Sequence, residues 1–229
     1  MDTIKQHFEE EANEYDRIII RLIPYYPQML NALINAIPFS RMQPVQVLDL
    51  GCGTGTISKQ VKEAFPFANI TCVDIAENMI SMAKQKLQTY DNIHYLLSDF
   101  AELAFDEHFD VIVSSLALHH LVDDEIKIYF YKRIYRFLKP AGVFYNADVV
   151  LASNDYLQQV YLSEWKHFMH KQVSEQEIEN TWLPNYYRED RPAQLIRQLN
   201  WLSEIGFIDI DILWKYYNFA VYGGRKALS

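Results

Sequence analysis

The chain has 229 residues, 50% of them apolar and 14% aromatic, which is enough to bury one sizeable core and excludes a disordered, charge-dominated polymer. Its formal charge is −9, and the 21 basic residues are scattered instead of forming a stripe, so no nucleic-acid partner is expected. No stretch is long and apolar enough to span a bilayer, residues 1–16 lack the apolar run of a secretory signal, and Cys52 and Cys72 stand apart without disulfide or metal spacing. The expectation is a cytoplasmic protein with no membrane partner and no metal.

In chain order, residues 1–37 read as helices rich in both charge and apolar side chains, broken at Pro24 and Pro27. This segment predicts an N-terminal helical lid. From about residue 45 to 148 strand-like and helix-like stretches alternate, which implies a parallel sheet covered by helices. The strands are expected at 45–50, 69–74, 93–97, 109–114 and 143–148. Helical periodicity covers 77–87 and 124–138, the latter stopped by Lys139, Pro140 and Gly142. Residues 152 to about 205 are helical again, with Tyr161, Trp165 and Phe168 on one face and Leu195, Leu199 and Leu202 on another, ending at Gly206. Stretches 207–214 and 217–223 then predict an antiparallel hairpin turning at Lys215 and Tyr216. The organisation expected is a lid at 1–37 and one domain at 38–229, with a helical cap inserted at about 152–192.

The chemistry begins at Val47-Leu48-Asp49-Leu50-Gly51-Cys52-Gly53-Thr54-Gly55-Thr56. A buried strand runs into a glycine-rich turn that opens a helix, where backbone can approach a ligand that a Cβ would keep away. A dinucleotide site needs G-x-G-x-x-G so that a pyrophosphate lies on the helix N-terminus. Here the spacing is G-x-G-x-G, and Asp49 just before the turn would repel a pyrophosphate but pair with the amino group of an amino-acid-bearing ligand.

Asp74 in Val73-Asp74-Ile75 stands where the ribose-binding acid of such a unit is expected, and one carboxylate can accept both ribose hydroxyls. Ser98-Asp99-Phe100 places an acceptor and an aromatic ring beside adenine. The strand Phe109 to Ser115 leads into His119-His120-Leu121. All four elements converge on the C-terminal edge of the sheet, at the topological switch point.

These residues, spanning about 45–148, resemble the class I S-adenosylmethionine-dependent methyltransferases. The resemblance implies an α/β, Rossmann-like, seven-stranded and mostly parallel sheet with an antiparallel terminal strand and helices on both faces. It implies S-adenosyl-L-methionine as cofactor, with Asp49, Gly51, Cys52 and Gly53 at its methionine part, Asp74 and Ile75 at its ribose, Asp99 and Phe100 about adenine, and Ser115 lining the methionine side. Met79 belongs to the same expected set. The stretch from Phe8 through Tyr15-Asp16 to Arg21-Leu22-Ile23-Pro24-Tyr25-Tyr26, and the end from Gln198 to Phe219, are similar to carboxy-S-adenosylmethionine synthases, whose N-terminal segment folds over the cofactor. Arg21 and Tyr26 then offer a guanidinium fork and a phenol to its carboxylate; the alternative is a surface salt bridge and a core tyrosine. The stretch 177–183 holds no arginine to grip an extra carboxylate, which favours ordinary methyl transfer to a small-molecule acceptor. Cofactor modification and a non-catalytic cofactor-binding module are the alternatives.

Cys52 is expected as a small residue tolerated in the turn, since nothing near it in sequence would activate a thiolate. His119 or His120 is the expected catalytic base, although the same loop can serve only to shape the pocket. Tyr161, Trp165, Phe168, Trp182, Tyr186 and Tyr187 either wall an acceptor site or pack the cap. A homodimer is left open. Transfer from a sulfonium is an in-line displacement that needs alignment and exclusion of water.

Overall fold

The computed structural model describes residues 14–228; Phe8, and with it the first part of the expected lid, lies outside them. Helices α1 (Tyr15–Leu22) and α2 (Tyr26–Asn35) precede β1 (Gln46–Leu50), α3 (Thr56–Ala64), β2 (Asn69–Asp74), α4 (Glu77–Lys86) and β3 (Ile93–Leu97). A 3₁₀ turn (Phe100–Glu102), β4 (Phe109–Ser115), a second 3₁₀ turn (Leu118–His120), α5 (Asp124–Phe137) and β5 (Leu138–Val149) follow. The cap is α6 (Asp155–Met169), then α7 (Glu175–Glu177) running through a π-helical turn (Ile178–Trp182) into α8 (Leu183–Glu189). The chain closes with α9 (Leu195–Ile205), β6 (Phe207–Tyr216) and β7 (Phe219–Lys226).

The seven strands form one sheet in the order β3-β2-β1-β4-β5-β7-β6. Only β7 is antiparallel, pairing β5 on one side and β6 on the other, so the expected architecture is found. The central strands are apolar on both faces because both faces are covered. Val47, Val111, Val143 and Val221 pack beneath α1, α2 and the cap. Their neighbours Leu48, Ile112, Phe144 and Tyr222 turn to the opposite layer of α5 and α9. The strand order puts β1 beside β4, whose connections leave in opposite directions, and opens a crevice at their C-terminal ends.

Three expectations are corrected. The N-terminal helices break at Ile23 to Tyr25, and Pro27 does not break anything: it sits in the first turn of α2, where its missing N–H has no helical partner to lose. The helix ends before Lys139, Pro140 and Gly142 as expected, but the strand placed at 143–148 starts earlier, at Leu138, with an irregular register against β4. The final hairpin turns at Tyr217 and Asn218, with Lys215 paired to Ala220 inside the ladder.

The segment expected as a lid is not uniform. In α2, Met29, Leu30 and Leu33 are fully buried in the main core, so this helix is part of the permanent covering layer. In α1, Ile19 and Leu22 face inward while Asp16 reaches across to the glycine turn and α4: its carboxylate accepts from Thr54 Oγ1 at 2.6 Å and pairs with Lys86 Nζ at 2.5 Å.

Candidate functional site

Two cavities lie end to end over the C-terminal edge of the sheet. The first, about 640 Å³, is bounded by Gly51 and Gly53 of the glycine turn, Asp74, Ile75 and Met79 after β2, Ser98, Asp99 and Phe100 after β3, and Ser115 after β4. The second, about 710 Å³, runs under α1 and the cap, between Ile19, Trp165, Trp182, Tyr186 and Phe219, and ends on His119, Glu189 and Asp190. Tyr15, Leu116 and His120 line both, forming the neck between them.

The glycine turn is shaped for close approach. Gly51 has φ +69°, and a Cβ there would stand 2.3 Å from the Cβ of Ala117. The Gly53 N–H donates to Asp74 Oδ2 at 2.8 Å, and the Ala76 N–H to Asp74 Oδ1 at 2.9 Å. Asp74 therefore ties the first two loops together, one oxygen to each. Asp99 plays a similar local part, its Oδ1 accepting from the Ala101 N–H at 2.8 Å. Phe100 is held flat against Phe130, with ring centroids 5.1 Å apart.

Asp49 is 1% exposed. Its Oδ2 accepts from Ser58 Oγ at 2.6 Å, but Oδ1 has no hydrogen-bond partner. Burial, opposed by the Ser58 hydrogen bond and reinforced by the nearby Asp74, pushes this carboxyl up to about 7. A small extension of the crevice reaches it between Tyr15, Tyr26, Cys52 and Ser115. An orphaned acceptor in a pocket of this kind fits a cationic amino group, which would both satisfy Oδ1 and restore the carboxylate.

Tyr26 lines that extension, its phenol opposite Ser115 and pushed upward in pKa by burial. Arg21 does not reach it. Its guanidinium donates to the Gln172 carbonyl at 2.9 Å and ties α1 to the cap, because the break at Ile23 to Tyr25 sets Arg21 and Tyr26 on separate helices. Cys52 is buried, and burial beside Cys72 pushes its thiol well up, as befits a packing residue.

The two histidines have unlike environments. The His119 Nδ1–H donates to Asp148 Oδ1 at 2.5 Å, its backbone N–H donates to Asp148 Oδ2 at 3.1 Å, and Nε2 lies 3.4 Å from Asp190 Oδ1. Burial opposes charge on this ring, but the carboxylates of Asp148 and Asp190 outweigh it and raise its pKa to about 10. His120, with ring centroid 4.0 Å from that of His119, is lowered to about 3 by burial and by its charged neighbour. His119 is the cationic member of the pair and His120 the neutral one, and His120 is the histidine at the neck.

Tyr15, Glu189, Asp190 and Asp148 were missed as site residues. Asp148 closes the run Val143 to Asp148, an acid at the end of the fifth strand of the alternating pattern, and that signal was present. Asp190 follows a helix of the cap and carries no local signature. It also alters the expectation about metals: His119, His120 and Asp190 each offer one ligand atom within 4.8 Å of the others.

Residues 47–142 match the family model described as a methyltransferase domain. Among curated proteins, the malonyl-[acyl-carrier protein] O-methyltransferase of Priestia megaterium is 31% identical over 140 residues, 61% of this chain and 48% of that protein. The demethylmenaquinone methyltransferase of Leptospira interrogans is 31% identical over 163 residues, 69% of this chain and 64% of that protein. The chain thus spans less than two thirds of the length of either relative. The solved structure of human N-acetylserotonin methyltransferase in complex with SAM superposes over 97% of this chain and 56% of its own, with a TM-score of 0.64 at 20% identity, a likeness of fold.

Proposed function

We propose that this chain, which belongs to the class I S-adenosylmethionine-dependent methyltransferases, passes a methyl group through the neck at Tyr15, Leu116 and His120 to a small-molecule acceptor in the second cavity. The observation that carries this reading is the pair of cavities meeting at that neck, one bearing the carboxylate series and the other aromatic walls with a polar end. The cofactor supplies a methyl group already activated on a sulfonium. In this reading Asp74 and Asp99 anchor the ribose and adenine ends, and the orphaned Oδ1 of Asp49 receives the amino group. Asp16 holds α1 down over the glycine turn, where Tyr15 keeps water from the neck.

The wall residues Trp165, Trp182, Tyr186 and Phe219 favour an acceptor with a flat or apolar body. His119, His120 and Asp190 meet its heteroatom, and where it arrives protonated the neutral His120 or the Asp190 carboxylate takes its proton. No arginine or lysine lines the second cavity among the described residues, and Glu189 and Asp190 stand there instead. The cavity therefore offers no guanidinium fork or ammonium to a second carboxylate on the cofactor, which supports methyl transfer over cofactor modification.

The test is a plug. Asn185 lines the second cavity and not the first. Asn185→Trp is expected to leave S-adenosylmethionine affinity within about twofold, since nothing at the donor site changes, and to abolish transfer of deuterated methyl from labelled cofactor into a small-molecule extract. Transfer that survives the plug moves the acceptor elsewhere. Asp74→Ala is expected to act differently, weakening cofactor binding by about 1.5–3 kcal/mol per charged hydrogen bond lost. It should also lower the Tm, because the Gly53 and Ala76 N–H groups lose their acceptor. Unchanged calorimetric affinity would remove Asp74 from the site.

A further inference from the structure

We infer that the polar end of the second cavity is a divalent transition-metal site, of the kind that takes Zn²⁺ or Co²⁺, built from His119, His120 and Asp190 with its remaining position open to the acceptor. The inference rests on the second cavity being the acceptor site only for the use of that open position; the metal site itself stands on side-chain geometry.

Four features point the same way. Asp190 Oδ1 lies 3.4 Å from His119 Nε2 and 3.6 Å from His120 Nδ1. A tetrahedral ion with bonds of about 2.0–2.2 Å sets its ligands roughly 3.3–3.6 Å apart, so Asp190 already stands at ligand spacing from both imidazoles, and the three ligand atoms lie within 4.8 Å of one another. The second feature is Asp148. It holds His119 Nδ1 and so turns Nε2 toward Asp190, the carboxylate–histidine arrangement that orients an imidazole for a metal. Asp148 is itself held from behind, accepting from Asn146 Nδ2 at 3.2 Å and from the His119 and Val149 N–H groups.

Charge is the third. The carboxylates of Asp148, buried, and Asp190, partly buried, stand against the imidazole pair and supply the two negative charges that balance a divalent cation. The fourth is access. All three ligand residues border the second cavity, and His120 also borders the first, so an ion there faces the neck through which the methyl passes. A cation with an open position binds an acceptor oxygen or nitrogen and fixes it beside the sulfonium.

The ligand set is mixed nitrogen and oxygen, with no thiolate among the described residues near it. Borderline ions are therefore favoured over Mg²⁺ or Ca²⁺, which take mostly oxygen.

The experiment is Co²⁺ titration of the full chain after chelator treatment, read by visible absorption and by equilibrium dialysis, with and without S-adenosylmethionine. One Co²⁺ per chain with the intense d–d bands of a four- or five-coordinate site is expected, displaced by Zn²⁺ and not by Mg²⁺. Asp190→Asn and His119→Gln should remove those bands, while Asp148→Asn, which touches no metal, should keep the stoichiometry and weaken affinity by about 10–100-fold. S-adenosylmethionine binding by each variant reports that the fold is intact. Absence of saturable Co²⁺ binding in the wild type, or equal binding in the wild type and Asp190→Asn, overturns the site and leaves an ion-paired imidazolium. Metal binding without transfer to any acceptor would instead count against the methyl-transfer reading, and transfer that survives chelation would leave that reading standing without the metal.

Discussion

Asp49→Asn is expected to make the empty protein less sensitive to pH while weakening its hold on S-adenosylmethionine by tenfold or more. The carboxyl is buried against Ser58 with one oxygen unpartnered and is pushed up to about 7. In the unfolded chain its value is near 3.8. Between those values the folded protein binds the proton that the unfolded chain has released, so stability falls as the pH rises through that window and levels off above about 7. Removing the group removes that slope. The same charge is what an ammonium in the pocket would pair with, at about 1.5–3 kcal/mol for a charged hydrogen bond, or roughly 10–150-fold in affinity. Scanning calorimetry from pH 4 to 8, beside titration calorimetry at pH 8, measures both halves. A variant that keeps the wild-type slope, or that binds cofactor as tightly, assigns Asp49 a purely structural part.

Gly51→Ala should be more severe. The new Cβ would meet the Cβ of Ala117 at 2.3 Å, in a residue held at φ +69°. Left-handed backbone costs a non-glycine residue about 1–3 kcal/mol, and overpacking costs a similar amount. For a chain of this size each kcal/mol is worth roughly 2–4 °C in Tm. Cofactor binding should fall below detection at concentrations that saturate the wild type, since relief of the clash moves Ala117 or the turn across the floor of the first cavity. Ala117→Gly in the same chain removes the colliding atom and should restore part of both losses, whereas Gly53→Ala, with nothing within 4 Å of its Cβ, should carry the backbone strain alone. Equal losses at Gly51 and Gly53 would show that strain, and not the approach to Ala117, governs the turn.

The sheet was legible because its pattern is local. Each parallel strand is a short apolar run ending near a polar residue or a glycine, and the order of strands and helices leaves one common topology. The first cavity was legible for the same reason: Gly51, Asp74, Asp99 and Phe100 each follow a strand that the sequence marks. The turn between β6 and β7 was not, since Tyr217 adopts φ +45° without a glycine or asparagine at that position to announce it. Arg21 was placed by its spacing from Tyr26, but the break at Ile23 to Tyr25 rotates α1 relative to α2 and sends the guanidinium to Gln172. Asp190 is the clearest loss. It meets His119 only because the cap folds back over β5, where the Arg191 N–H donates to the His119 carbonyl at 2.9 Å. Contacts between segments so far apart leave no trace in periodicity.

The place of β7 bears on how the molecule is assembled. It is made after both of its neighbours, yet it lies between them, pairing Val143 of β5 with Arg225 and Phe207 of β6 with Lys226. Until β7 arrives, β5 is an open edge and β6 has no strand to pair with, so the right half of the sheet cannot form piecemeal as the chain emerges. Closure waits on a contact of long sequence separation, the kind that slows folding, and during that interval Phe144 and Ala147 remain uncovered beside an unpaired edge. Nascent chains halted before β7 are therefore the species on which holding chaperones would act.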